Sequence, residues 1–281
     1  MSQTLMEEAA PVSHHSPTST NMNPSQTRIL IALATYNERD NLAPLVQAIR
    51  THVSLADVLV LDDNSPDGTG AAADALAHQD ANIHVIHRSG KLGLGTAILA
   101  MMRFAIENRY DLLITMDADF SHHPRYLPDI LKGMDHADVM IGSRYVPGGG
   151  VENWPWSRRM MSRWTGRLSR FLLGLAARDT SGNYRCYRVS LLRRANLDNL
   201  LSHGYSFQQE VLHRCCLAGA KLGETPIIFA DRKAGKSKAN LKEIVRSLST
   251  LLRLGWRARF HQASMMPHPE ITGAAQARQA A

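Results

Sequence analysis

Five apolar runs of strand length, each closing in a polar cluster, constrain the fold of this chain more than any other feature. They cover residues 28–34, 57–61, 83–87, 111–116 and 137–142. Helical patterns separate them: Leu42, Leu45, Val46 and Ile49 recur at helical spacing, an alanine-rich stretch runs from Gly70 to His78, and a third helix covers 93–108. Apolar runs of this kind suit strands buried on both faces, and their alternation with helices predicts an α/β fold: a mainly parallel sheet with helices on both faces. Ligands of such sheets bind at the carboxyl ends of the strands. Tyr36, Glu38, Asp62, Asp63, Asp117, Asp119, Ser143 and Arg144 all fall at strand ends, a concentration that scattered surface polar residues would not produce.

Asp117 and Asp119 are separated by one residue, so an extended backbone turns both carboxylates the same way. A pair of hard oxygen ligands attracts Mg²⁺ or Mn²⁺. The competing reading is a solvated loop whose aspartate caps the helix expected from Pro124. Asp62 and Asp63 suit either a nucleotide anchor or an Asx-turn through Asn64–Gly68. His122 and His123 are set aside as metal ligands, since zinc sites gather three or four N/S ligands and no cysteine lies nearby. His84 and His87 alternate along a strand and are expected to be partly buried. Gly90–Thr96 has neither dinucleotide nor Walker spacing, but its place at a helix start suits an anion contact or a tight turn.

The 281 residues carry a formal net charge of +7, which favours anionic partners: nucleic acid, a phosphorylated substrate or an acidic membrane. Much of that charge lies on two amphipathic stretches. In 158–176, Met160, Met161, Trp164, Leu168, Phe171, Leu172 and Leu175 interleave with Arg158, Arg159, Arg163, Arg167 and Arg170. In 240–260, Leu241, Ile244, Val245, Leu248, Leu251, Leu252 and Trp256 are expected on one face, with Lys242, Arg246, Arg253, Arg257 and Arg259 beside it. Such helices suit a membrane interface; the alternative packs both on the sheet with their arginines in water. A basic patch is only the first of several signs of nucleic-acid binding, so no nucleic-acid partner is expected. No apolar stretch is long enough to span a bilayer, and no secretory signal is expected from the polar N-terminus. Three cysteines form no disulfide framework and fit a reducing, cytoplasmic compartment.

The remaining expectations are a strand over 183–189, a helix over 207–218 capped by Ser206, and a last strand over 224–230. Domain limits follow: a disordered leader 1–27, a catalytic domain 28–239, a basic amphipathic helix 240–261 and a disordered tail 262–281.

Thr35–Glu38, Asp62–Thr69, Lys91 with Gly93–Gly95, Met116–Pro124 and Gly142–Tyr145 together resemble the family 2 glycosyltransferases of GT-A (Rossmann-like) type. Within that family they are most similar to the dolichol-phosphate (polyprenol-phosphate) mannosyltransferase group. Thr180–Gly182, Gly204–Gln208, Arg232, Gly235, Ser237 and Lys238 extend the match over roughly 28–260. The resemblance implies GDP-mannose as donor and a polyprenyl or dolichyl phosphate as acceptor, with UDP-glucose or another nucleotide sugar as the alternative donor. It implies a donor pocket of Ala34, Tyr36, Glu38, Leu61, Asp63, Asp117, Ala118, Asp119, Arg232 and Lys238. Asp119 and Arg144 would be catalytic, with Asp119, Asp117 and Ser121 on Mg²⁺ or Mn²⁺ and Arg144, Arg158 and Ser143 on the acceptor phosphate. Ala34 replaces a proline frequent in the family, and Ser121 stands where some members carry a glutamine ligand. Glu210, a base in other family 2 enzymes, is expected here to be structural or to touch the sugar. Relatives often carry C-terminal transmembrane helices; with no apolar span of that length in this sequence, a peripheral enzyme on the cytoplasmic face of a membrane is expected, alone or docked to a small anchor protein.

Overall fold

A computed structural model describes residues 27–200, 202, 206–230 and 249–256. Seven strands form the main sheet. β1 (Ile29–Thr35), β2 (Asp57–Asp62), β3 (Ile83–His87), β4 (Leu112–Asp117) and β5 (Val139–Ser143) realise the five apolar runs, with ends shifted by one or two residues. β7 (Arg185–Arg188) and β8 (Leu222–Pro226) complete the order β3-β2-β1-β4-β7-β5-β8. Between β5 and β7 the chain forms β6 (Gly150–Glu152), which pairs in parallel with β9 (Ile228–Ala230) as a separate ribbon.

The sheet is mixed. β7 runs antiparallel between β4 and β5, while the other pairings are parallel. The strand expected over 224–230 is two strands. Ile227 breaks it by donating its N–H to Ser143 O at 3.0 Å and accepting from Gly150 N–H at 2.9 Å. That exchange moves the chain from the edge of the main sheet to the ribbon.

Alternation along the strands divides the core in two. Leu30, Ala32, Leu59, Leu61 and Leu113 face α3 (Leu94–Glu107), α6 (Val189–Arg194), α7 (Phe207–Leu217) and a helix over 249–256, called α8. Ile31, Leu33, Val58, Val60, Ile114 and Met116 face α1 (Arg39–His52), α2 (Thr69–Gln79) and α4 (Leu127–Gly133). The four apolar residues spaced along α1, Leu42, Leu45, Val46 and Ile49, are all buried there.

Two helix expectations change. Ser206 stands before α7 but makes no capping bond, because its backbone is already helical (φ −79°, ψ −8°) where a side-chain cap needs an extended one. In α8, Leu251 and Leu254 are buried, whereas Leu252 and Trp256 are exposed and do not share their face. Successive helical residues are about 100° apart, so Leu251 and Leu252 cannot point the same way. The rest of the 240–260 segment, like the leader and the tail, lies outside the described residues.

The basic stretch after the glycine loop is α5 (Trp156–Leu173), and it packs by its small residues. Gly166, Ser169 and Leu173 are buried, with the Ser169 hydroxyl 2.7 Å from Thr180 Oγ1. Trp156, Met160, Met161, Trp164 and Phe171 are exposed, Trp164 at 66% and Phe171 at 71%. A helix docked on the sheet by its apolar stripe would show the reverse. Among the described residues no helix is long and apolar enough to cross a membrane.

Candidate active site

Register across three strands creates the site. Ala34 on β1 pairs with Leu61 on β2 and with Asp117 on β4, so the three form one row at the carboxyl edge. Tyr36, Asp63 and Asp119 lie two residues beyond that row, and Ser143 and Arg144 close β5 on the same edge. The sheet thus gathers the residues the strand-end pattern singled out.

The acidic residues are held individually. Asp62, buried, accepts from Thr35 Oγ1 at 3.0 Å and from Ser65 N–H at 3.0 Å, which is the Asx-turn role. Asp63 pairs with Arg88, whose Nε donates at 2.5 Å and whose Nη1 reaches Thr96 Oγ1 at 2.7 Å. Arg88 thereby ties Asp63 to the glycine-rich turn before α3. Lys91 of that turn places its ammonium 4.2 Å from the centre of the Tyr36 ring. Buried Glu38 accepts from Asn41 Nδ2 at 2.7 Å while its own N–H donates to Thr69 Oγ1 at 2.9 Å. Leu61 and Ala118 are buried and act as floor.

Asp117 and Asp119 are half-buried at the end of β4. Asn183 Nδ2 donates to Asp117 Oδ1 at 2.9 Å and is itself fixed by Gln208 Nε2, 2.6 Å from its Oδ1. Asp119 Oδ1 accepts from Ser121 N–H at 3.1 Å and Ser121 Oγ at 2.5 Å. Ser121, buried, therefore reaches the site as a donor to Asp119. The turn places Phe120 at φ 62°, a left-handed conformation that a large side chain rarely adopts.

His122 has a structural use: its Nδ1 accepts the Asp117 backbone N–H at 3.0 Å. Burial pushes its pKa down against the pull of Asp117 and Asp119, so the 3.5 Å approach of Nδ1 to Asp117 Oδ2 is not an ion pair. His123 uses its Nδ1 to accept from Arg125 N–H and cap the short turn at Pro124. His84 is partly buried beside Tyr110. His87 instead is exposed and pairs with Asp74 at 2.9 Å, because β3 is the sheet edge.

Asp117, Asp119 and Ser121 form an all-oxygen set that fits a hard divalent cation. The described residues contain no group of three or more His, Cys, Asp or Glu able to hold a metal. Oxygens from outside this set, of water or of a bound phosphate, would complete the coordination.

On the other side of the cleft, Arg144 is nearly buried and locked to Asp179. Its Nε donates to Asp179 Oδ2 at 2.7 Å, and its Nη2 donates to Asp179 Oδ1 at 2.7 Å and Ser181 Oγ at 2.9 Å. Burial opposes both charges, yet the pairing wins: the Asp179 carboxyl is held below its usual range and the Arg144 guanidinium above its own. Arg144 and Arg158 both lie over Trp154, at 5.5 Å and 4.0 Å from its ring. Ser143 does not join them. It is fully buried, and its hydroxyl accepts the Tyr145 N–H at 3.3 Å, so it shapes the turn rather than facing a ligand. Arg232 and Lys238 lie outside the described residues. Glu210 is buried, accepting the Ser202 N–H at 2.7 Å with Arg214 at 3.8 Å, which is a structural role.

Arg88, Asn183, Asp179 and Trp154 are site residues the sequence reading missed. Arg88 follows the end of β3 and was within reach of the strand-end rule. Asn183 and Asp179 precede β7, a strand the sequence predicts but whose antiparallel place between β4 and β5 has no local signature.

Comparison with known proteins agrees with this geometry. Residues 30–200 match the model of "Glycosyl transferase family 2". An undecaprenyl-phosphate mannosyltransferase of Micrococcus luteus is 44% identical over 83% of this chain and 96% of its own length. A polyprenol monophosphomannose synthase of Mycolicibacterium smegmatis is 42% identical over 86% of this chain and 92% of its own. Among solved structures, glucosyl-3-phosphoglycerate synthase from Mycobacterium tuberculosis, in complex with Mn²⁺, UDP and phosphoglyceric acid, shares the fold at a TM-score of 0.58. It is 18% identical, with 82% of this chain and 79% of that one covered. From the three-strand row of Ala34, Leu61 and Asp117 to the relatives that share its sequence, every observation leads to one assignment: the chain belongs to glycosyl transferase family 2.

Proposed function

We propose that this enzyme transfers mannose from GDP-mannose to a polyprenyl or dolichyl phosphate, inverting the anomeric carbon, at the cytoplasmic face of a membrane. One observation carries the reading: Asp117 and Asp119 at the end of β4 and Arg144 at the end of β5 share one edge of the sheet, and Arg158 lies with Arg144 over Trp154. A transfer between two phosphorylated partners needs both. The two relatives above 40% identity, named for undecaprenyl-phosphate mannose transfer and polyprenol monophosphomannose synthesis, support the substrate class.

Tyr36, Asp63, Ala34 and Leu61 would receive the nucleoside. Asp119 and Asp117, steadied by Ser121 and Asn183, would hold Mg²⁺ or Mn²⁺ together with the donor diphosphate. The cation when bound supplies positive charge to the departing GDP. The acceptor phosphate is already anionic near neutral pH and needs no strong general base. Its oxygen attacks the sugar C1 as the C1–O bond to GDP breaks. Arg144, pre-aligned by Asp179, and Arg158 would place that oxygen beside another anion, a task suited to guanidinium groups. The exposed apolar stripe of α5 would lie in the acyl boundary next to this site.

The test is a donor panel with a short-chain polyprenyl phosphate and Mg²⁺ or Mn²⁺. GDP-mannose is expected to give a lipid-linked mannose product and GDP. Transfer from UDP-glucose with GDP-mannose untouched would overturn the donor assignment.

A further inference from the structure

Behind the acidic end of the cleft, the fold assembles a buried chain of hydrogen bonds that runs in one direction and ends on Asp117. Arg185 of β7 is fully buried, with Nη1 2.8 Å from the Gln208 carbonyl oxygen and 3.4 Å from the Tyr187 hydroxyl, and Nη2 2.8 Å from the Thr180 carbonyl oxygen. Tyr187 gives its own hydroxyl proton to Gln208 Oε1 at 3.3 Å. Gln208 Nε2 donates to Asn183 Oδ1 at 2.6 Å, and Asn183 Nδ2 donates to Asp117 Oδ1 at 2.9 Å. Tyr187, Gln208 and Asn183 are all buried, so solvent does not compete for these links.

The chemistry of the two ends fixes the direction. A guanidinium can only donate and an ionised carboxylate can only accept. Tyr187 accepts from Arg185, which leaves its proton for Gln208; Gln208 then presents its amide NH₂ to Asn183, and Asn183 presents its own to Asp117. Turning either amide over would set like groups face to face and strand buried donors and acceptors without partners, which the interior penalises. The backbone of Asn183 is pinned as well, its carbonyl accepting from Thr115 Oγ1 at 2.7 Å. Gln208 stands in the first turn of α7, where Phe207 and Val211 already supply apolar packing. A glutamine is not needed there to hold the helix, but its polarity is needed to orient Asn183.

We infer that Gln208 is a positioning residue for the donor-side metal, acting through Asn183 on Asp117. It touches neither cation nor nucleotide. By holding the Asn183 amide one way round, it keeps Asp117 Oδ1 engaged, so the carboxylate is set before a cation arrives. The inference rests on the proposed reading of Asp117 as a metal ligand and deepens it.

Isothermal titration of GDP into the full chain, once with Mn²⁺ and once with EDTA, tests this, since Gln208 should bear only on the metal-dependent part of the affinity. Gln208→Met keeps the length of the side chain and removes the amide. It is expected to lower Mn²⁺-dependent GDP affinity about fivefold, while affinity in EDTA stays within about twofold of wild type. In an Asn183→Ala background the same substitution should cost nothing further. Gln208→Glu keeps the shape, and the adjacent Arg185 guanidinium holds the introduced carboxylate ionised, an acceptor only. Asn183 must then turn its NH₂ toward position 208 and its oxygen toward Asp117. That variant is expected to lose about thirtyfold, and adding Asn183→Ala should recover affinity to within about twofold of Asn183→Ala alone.

Mere loosening of α7 would weaken GDP equally in EDTA and would add to the loss of Asn183→Ala; either result overturns the inference, as does wild-type affinity in Gln208→Met or Gln208→Glu. A wild-type chain that binds GDP equally with Mn²⁺ and with EDTA would overturn Asp117 as a ligand, and Gln208 with it. Mn²⁺-dependent binding of UDP in place of GDP would overturn the donor alone, and the same ratios read with UDP would still decide Gln208.

Discussion

At the β2–β1–β4 end of the sheet the cleft carboxylates are each held by a neighbour, whereas beside α5 a group of arginines lines one cavity with no acid among the described residues on its wall. Asp62 is fixed by Thr35 and Ser65, Asp63 by Arg88, Asp117 by Asn183 and Asp119 by Ser121. Arg163, Arg167, Arg170 and Arg178 line a cavity on which no acid stands among the described residues. The difference follows from what each end must receive. A site for a cation and a diphosphate needs carboxylates set at fixed positions before the ligand arrives, because such preorganisation avoids reorientation during reaction. On the proposed function α5 would lie at a membrane surface, where lipid phosphates would provide the missing charge. Arg144 belongs to both ends: it lines the arginine cavity, yet it is locked by Asp179 as firmly as any donor-side carboxylate.

The largest effect should come from the acidic end. Asp119→Ala is expected to lower kcat about 100- to 1,000-fold, in line with the loss of one charge-stabilising group, with the melting temperature little changed. Steady-state kinetics with Mg²⁺ and with Mn²⁺ measure this, and metal-dependent turnover near the wild-type rate would break the ligand assignment.

Next is the residue that joins the two ends. Asp179→Ala leaves the Arg144 guanidinium buried without its partner, and should cost about 3–5 kcal/mol of stability by denaturant unfolding. The pH dependence has a definite sign. Because the folded Asp179 carboxyl is held below its ordinary value, the stability it contributes is complete above the unfolded carboxylate range and is lost as pH falls through the lowered pKa. Asp179→Asn should therefore flatten the acid limb of the stability curve. An unchanged limb would mean that other carboxylates set it.

A smaller effect is expected one shell out. Asn183→Ala frees Asp117 without removing a carboxylate, and should weaken Mn²⁺-dependent GDP binding about tenfold, at the lower end of the range for outer-shell partners. Isothermal titration reads it directly. A loss as large as that of Asp119→Ala would show that Asn183 meets the ligand itself.

Most of the donor end was legible in the order of residues, because strand side chains obey a period of two and parallel strands aim their carboxyl ends alike. Asp117, Asp119, Tyr36 and Asp63 could be grouped before any coordinates. The arginine end was legible only as composition. The same interleaved arginines and large apolar residues would serve a helix packed on the sheet or one turned away from it. The choice depended on Gly166 and Ser169, whose small side chains let α5 approach the 178–180 segment closely and leave Trp156, Met160 and Trp164 outside.

Local pattern thus determined the α/β class, the five strands that carry the site and the acidic residues at their ends, since each depends on spacings of a few residues. Tertiary structure alone decided the antiparallel insertion of β7, the Asn183 and Asp179 contacts that come with it, the burial of Ser143 and the outward face of α5. Those depend on which distant segments meet, for example Asn183 with Asp117 across 66 positions, and no period in the sequence records such a meeting.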